Sequence, residues 1–101
     1  MSFEKDSYFR EELSGVIFTG DMASDLVFDE CVFAACTFTG TRFEKCRFLN
    51  CKFTGCDLSN VIPMNSEFRE VKFSDCKAIG IDWTRTAKIK GLRFNNCLVN
   101  Y

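Results

Sequence analysis

The sequence predicts an all-β solenoid, and three features of its spacing predict it. A large apolar residue recurs at every fifth position: Phe28, Phe33, Phe38, Phe43, Phe48 and Phe53, then Leu58, Phe68 and Phe73 in phase. Two residues before each stands a small or medium side chain: Leu26, Cys31, Cys36, Thr41, Cys46, Cys51, Cys56, Val61, Ser66, Val71 and Cys76. Two residues after it comes a corner-like position, held by Gly20, Gly40, Gly55, Gly80, Asn50 or Asn60. A period of five is neither the 3.6 of a helix nor the 2 of a flat strand, so the chain has to turn at every repeat. All seven cysteines, all six glycines and eleven of the twelve phenylalanines obey the spacing, so the period organises the whole chain.

The residues that carry the period resemble those of the pentapeptide-repeat proteins. In that family the repeat reads small residue, any, Leu or Phe, any, any. This chain has the Cys-x-Phe variety, as in Cys31-Val32-Phe33, Cys46-Arg47-Phe48, Cys51-Lys52-Phe53 and Cys56-Asp57-Leu58. The likeness runs from about Val16 to the C-terminus. It implies a right-handed quadrilateral β-helix in which four repeats make one coil, so that position i stacks on position i+20. About four coils are expected over residues 16–101, as one domain.

With four repeats per coil, Phe33, Phe53 and Phe73 stack, and then the phase slips by one residue after Trp83. A single extra residue around Thr84-Arg85-Thr86 restores every column. Phe94 then joins Phe33, Phe53 and Phe73; Ile89 joins Phe28, Phe48 and Phe68; Cys97 joins Cys36, Cys56 and Cys76; and Gly91 returns to a corner. A corner absorbs such an insertion most easily. Pro63 occupies a centre and lacks a backbone donor, so an irregularity is expected at Val61-Ile62-Pro63-Met64. Before Val16 the period weakens. Phe3, Tyr8 and Leu13 keep the phase, but their inward partners are Met1, Asp6 and Glu11. Residues 1–15 are therefore expected to be an N-terminal lead-in or cap, with a short helix over Asp6–Leu13, stopped at Gly15, as the alternative.

A chain of 101 residues is one domain on length, and 47% apolar residues with 15% aromatics supply its core. The expected core is Phe28, Phe33, Phe38, Phe43, Phe48, Phe53, Phe68, Phe73 and Phe94 with Cys31, Cys36, Cys46, Cys51, Cys56, Cys76 and Cys97. The formal net charge is −1, which gives no argument for direct nucleic-acid binding. Its distribution is lopsided. Residues 1–30 carry eight acids against two bases, and residues 31–101 carry six acids against eleven bases. Nothing has the length of a signal peptide or a membrane span, so a cytoplasmic protein without membrane contact is expected. The odd cysteine count and the inward phase of every cysteine favour reduced core thiols over a disulfide scaffold.

The chemistry-bearing residues point away from catalysis. Histidine is absent, which removes the commonest general base. There is no Cys-x-x-Cys pair for zinc, and the glycines are spaced by corners instead of gathered in a phosphate loop. No metal or other cofactor is expected. Glu11/Glu12 and Asp29/Glu30 are adjacent carboxylates, but exposed neighbours of this kind are ordinarily solvated charges. On the outer surface, Asp29, Glu30, Glu67 and Glu70 share one side with Arg47 and Arg69, and Lys52, Lys72 and Arg93 stack on the next. The basic row either attracts an anionic partner or solubilises the wall.

Within the family, Cys56-Asp57-Leu58-Ser59 and the run from Cys76 to Trp83 look similar to segments of the quinolone-resistance (Qnr-like) branch. That resemblance implies a rod that mimics DNA by shape and negative charge. It implies binding to a type II topoisomerase (DNA gyrase or topoisomerase IV) and dimerisation through the C-terminal end. The acids that concentrate near the N-terminus, Asp21, Asp25, Asp29 and Glu30, are the candidate partner-binding residues. A non-catalytic protein-binding module is thus expected, the alternative being a purely structural solenoid or a fragment of a longer repeat protein. An unpaired apolar edge around Phe94, Cys97, Val99 and Tyr101 is expected to support a homo-oligomer through the C-terminal edge, with head-to-tail stacking as the runner-up.

Overall fold

Each repeat turns two side chains inward and two outward before a corner, so five residues make one short strand and one bend. The computed structural model describes residues 3–100 and shows these strands stacked in parallel into a four-walled β-solenoid. The first wall is built from Ser7–Phe9, Val27–Asp29, Arg47–Leu49 and the first halves of Glu67–Ser74 and Lys88–Asn95. The second wall runs through Glu12–Ser14, Val32–Ala34, Lys52–Thr54 and the second halves of the same two long strands. Lys77–Ile79 and Leu98–Asn100 belong to the third wall, and Met22–Ser24, Arg42–Glu44 and Ile62–Met64 to the fourth.

The register is i to i+20 along every wall until the last coil, where it becomes i to i+21. Phe28 lies beside Phe48 and Phe48 beside Phe68, but Phe68 pairs with Ile89 and Phe73 with Phe94. The inserted residue is taken up in a 3-10 turn at Trp83–Arg85, where the sequence places it. The turn is held by Asp82, whose side chain accepts the Thr84 N–H at 3.0 Å.

Five coils form, one more than the period predicts, because the N-terminal segment is a regular coil. Ser7–Phe9 pairs with Val27–Asp29 and Glu12–Ser14 with Val32–Ala34 in the common register. The helix alternative over Asp6–Leu13 is not adopted. Acids are tolerated at the inward positions of this coil because it forms the lower rim, where Asp6 is exposed and Glu11 half-buried. Their carbonyls still serve the ladder, accepting the N–H groups of Val27 and Val32 at 2.8 and 2.9 Å. Met1 and Tyr101 lie outside the described residues.

Pro63 produces no irregularity. Ile62–Met64 continues the fourth wall, with Pro63 directly beside Phe43. The reason lies in the direction of the missing donor. A centre N–H points to the coil above, as Phe38 to the Asp57 carbonyl and Leu58 to the Lys77 carbonyl, a step of i to i+19. For residue 63 that acceptor is Asp82, and the 3-10 turn has already given the Asp82 carbonyl to the Arg85 N–H. Proline thus stands on the edge strand of this sheet, where no partner waits for it.

Corners are more uniform than their sequences. Six glycines and eleven other residues, Arg10, Asp25, Glu30, Ala35, Lys45, Asn50, Asn60, Asn65, Glu70, Asp75 and Asn96, all sit at positive φ. The left-handed corner is imposed by the coil, whatever residue occupies it, and L-residues other than Gly, Asn and Asp hold it at about 1–2 kcal/mol. The ladder compensates, since the corner N–H groups bond to carbonyls of the coil above: Glu30 to Leu49, Ala35 to Thr54, Asn50 to Arg69.

Inside, aromatic rings form continuous stacks. Phe33 and Phe53 lie 4.4 Å apart and 8° from parallel, and Phe28, Phe48 and Phe68 repeat the arrangement at 5.2 and 4.8 Å. Neighbouring columns meet edge to face, as at Phe28–Phe33 and Phe43–Phe48. Phe3 is half-buried against the core, where its ring meets Tyr8, Phe18 and Phe28. The expected core is buried, with two exceptions in the last coil. Phe94 keeps its place on Phe73 at 4.9 Å yet is 39% exposed, and Cys97 is half-buried, because both line the upper rim.

These facts rank substitutions. Phe48→Ala, in the middle coil, is expected to lower the unfolding free energy by about 3–5 kcal/mol and Phe94→Ala by no more than about half as much. Ala35→Gly is expected to raise it by about 0.5–1 kcal/mol, because relief of the left-handed corner outweighs the entropy of glycine. Urea titrations of the three variants check the order.

Candidate functional site

Two sets of side chains stand out from the scaffold: the inward thiols and the outward charges. The thiols do more than fill space. Each Cys Sγ donates to the carbonyl of the residue two before it and to a centre carbonyl in the coil below. Cys31 reaches Tyr8 O at 3.4 Å, Cys46 reaches Ala23 O, Cys51 reaches Phe28 O, Cys56 reaches Phe33 O and Cys76 reaches Phe53 O, the last four at 3.3 Å. Thr41 does the same to Phe18 O, and Ser66 to Phe43 O at 3.2 Å. The side chain also accepts from the coil below: the Cys36 N–H points to Cys56 Sγ at 3.4 Å and the Cys46 N–H to Ser66 Oγ at 3.1 Å. Sequence reasoning assigned this position by size alone. The signal was present, since Cys, Thr and Ser share a hydrogen-bond donor as well as small volume.

Burial disfavours the thiolate at Cys46 and Cys51. It pushes the Cys46 thiol up and the Cys51 thiol up to about 12, since a thiolate in the ring-lined interior loses its water. Cys56 is also raised, first by hydrogen bonding with Cys36, then with Cys76 above it, and then by burial. Among the described residues no cluster of Cys, Asp and Glu has the geometry to hold a metal ion.

The proposed partner-binding acids do not converge. Asp29 and Glu30 sit together at the corner between the first and second walls, where Asp29 accepts from Asn50 at 3.4 Å and Glu30 lies 3.5 Å from Arg10. Asp25 occupies the preceding corner, and Asp21 lies before the Met22–Ser24 strand. The four follow the chain around the solenoid as a belt and do not form a stripe along the rod. The adjacent carboxylates are likewise tied separately, Glu11 to Lys5 at 2.9 Å and Glu30 to Arg10.

The basic row is a true column. Lys52 is beside Lys72 and Lys72 beside Arg93, in register on the second wall. Around the corner, opposite charges are stacked instead: Arg47 lies on Glu67 at 3.1 Å, and Glu67 also takes Arg69 at 2.7 Å. On the third wall Asp57 accepts the Ser59 N–H at 2.9 Å and stacks beside Lys77. Burial raises the Asp57 carboxyl, but the hydrogen bonds of Ser59 and the charge of Lys77 outweigh it and hold the group below its ordinary value. The Cys56–Ser59 segment thus holds a local turn on this wall.

The family model for the pentapeptide repeat region matches residues 26–101. The chain belongs to the pentapeptide repeat family. No curated protein matches it. Among solved structures it is similar to Rfr23, a pentapeptide repeat protein of the cyanobacterium Cyanothece 51142, with 10% identity and a TM-score of 0.59 over 94% of this chain and 92% of that one. A pentapeptide repeat protein of the Arabidopsis thaliana thylakoid lumen aligns with 22% identity and a TM-score of 0.52, over 81% of this chain and 60% of that one. At these identities the likeness is one of fold. QnrB1, a plasmid-mediated fluoroquinolone resistance protein, aligns with 17% identity and a TM-score of 0.46, over 90% of this chain and 68% of that one.

Two measurements follow from the thiol geometry. Titration of the native protein with a thiol reagent is expected to find Cys97 alone reacting readily, and seven thiols after denaturation. Cys51→Val keeps the bulk that Val71 supplies one coil above, but it removes the thiol donor that faces the Phe28 and Leu49 carbonyls. It is expected to lower the unfolding free energy by about 1 kcal/mol, whereas Cys51→Ser, which keeps a donor, loses less of it to hydrogen bonding.

Proposed function

We propose that this pentapeptide repeat protein is a non-catalytic module that binds another protein through its outer walls. The observation that carries this reading is the register of the outward side chains. Residues one coil apart stand directly beside each other, as Val32, Lys52, Lys72 and Arg93 do, at roughly 4.8 Å per coil. Such a wall is a flat, rigid grid of side chains, whereas small-molecule sites are concave and mostly apolar. The interior, which in other folds holds ligands, is filled by the ring stacks.

The most specific form of the proposal takes the partner to be DNA gyrase or topoisomerase IV. It rests on the sequence resemblance of Cys56–Ser59 and Cys76–Trp83, with Asp21, Asp25, Asp29 and Glu30 as the contacting acids. In a gyrase supercoiling assay the protein in molar excess is expected to inhibit the enzyme or to protect it from a quinolone. Asp29→Lys combined with Glu30→Lys is expected to weaken that effect about tenfold, as reversal of charges at an interface does. No effect at large excess overturns the topoisomerase form and leaves the grid to other partners.

A further inference from the structure

The second wall carries its charges differently from the first. On the first wall opposite charges are stacked, Arg47 on Glu67, whereas on the second Lys52, Lys72 and Arg93 stand in register with no acid between them. Like charges opposite each other on neighbouring strands destabilise a sheet. The three cations form no ion pair among the described residues. Glu70, the acid of the adjoining corner, does not turn to them. Its carboxylate lies over Gly91, where an added Cβ would stand 2.6 Å from one oxygen. The wall thus keeps an unneutralised row at a cost to its own stability.

A groove follows the row. One hollow of about 260 Å³ lies between Lys52, Lys72 and Arg93 on one side and Asn50 and Glu70 on the other. A second, of about 530 Å³, shares Asn50 and Lys52 with it and reaches down to Glu30 and Val32, so the two lie end to end along the rod. One column over on the same wall, Thr54, Ser74 and Asn95 also stand in register and present hydroxyl and amide groups.

We propose that the second wall takes an extended acidic segment of a partner protein, laid along this groove with its carboxylates on Lys52, Lys72 and Arg93. The assignment deepens the reading of the outer walls as protein-binding surfaces and rests on it. Two coil spacings separate the ends of the row, about 10 Å, a distance that about three residues of extended chain span. Below Lys52 the column continues as Val32 and Glu12, which sets where the acids of the segment stop. The row is only one residue wide. Glu30 and Glu70 hold the corner at one edge and Asp75 the corner at the other, so a broad polyanion such as duplex nucleic acid meets acids on both sides of the cations. Single strands are held by stacking on aromatic side chains, and the outward residues of this wall from Val32 to Asn95 include none.

Fluorescence anisotropy with labelled hexaglutamate tests the proposal, with labelled hexathymidylate as a nucleic-acid probe of similar charge. Hexaglutamate is expected to bind the native protein, and at least about tenfold more weakly in about 0.5 M salt, where the row is screened. Lys52→Gln combined with Lys72→Gln is expected to weaken binding at least about tenfold. Lys45→Gln combined with Lys88→Gln removes the same charge from other sides of the solenoid and is expected to change binding less than about twofold. Because the first pair relieves stacked like charges, it is also expected to hold or raise the midpoint of urea unfolding. No binding of hexaglutamate, equal losses in the two pairs, tighter binding of hexathymidylate, or a urea midpoint lowered by the first pair would each overturn the proposal. The topoisomerase reading is judged separately, since these variants keep Asp29 and Glu30 and the supercoiling assay uses no acidic peptide.

Discussion

Everything in this molecule depends on the hydrogen-bond ladder between coils holding one fixed register. The backbone of each coil is satisfied mainly by the coils above and below it, so residues one coil apart are forced side by side. Inward positions then have to be filled by the same chemistry at every level, and the stacked rings and thiols are that chemistry. No coil is independent in such an arrangement; each is stable only to the extent that its neighbours are. The longer step after Trp83 shows how firmly the register is kept. The chain absorbs the extra residue in one 3-10 turn and resumes its columns beyond it.

Most of the architecture was legible because each repeat states it again. The inserted residue, the Phe columns and the inward phase of the cysteines follow from spacing, and the structure agrees at each. Three features were not legible, for physical reasons. The first coil was hidden by Asp6 and Glu11, which violate the inward pattern; a rim position can hold an acid because water reaches it. Pro63 looked disruptive because its missing donor counts only if an acceptor waits in the next coil, and that depends on the turn at Trp83–Arg85. The corners at Glu30, Ala35 and Lys45 looked like ordinary residues, although the coil places them in the same left-handed conformation as the glycines. In each case the deciding contact lies one coil away.

The candidate surfaces were legible as residues but not as shapes. Lys52, Lys72 and Arg93 form the column that their spacing indicates, whereas Asp21, Asp25, Asp29 and Glu30 are spread over successive sides of the solenoid. A four-walled coil explains the difference. Residues one coil apart in sequence are neighbours along the rod, and residues four apart are carried around a corner to another side. Density of acids along the chain therefore says little about the density of negative charge on any one wall.

The separation of inward and outward positions has a consequence for how such a protein changes over time. An outward side chain touches its neighbours on the wall and solvent but takes no part in the ring stacks or the thiol-to-carbonyl bonds. Its replacement leaves the interior as it was. The walls are therefore free to vary within an invariant frame, much as type is reset in a fixed press. A lineage built on this frame can acquire a new recognition surface by exterior substitutions alone, and relatives that share the frame are free to share no partner at all.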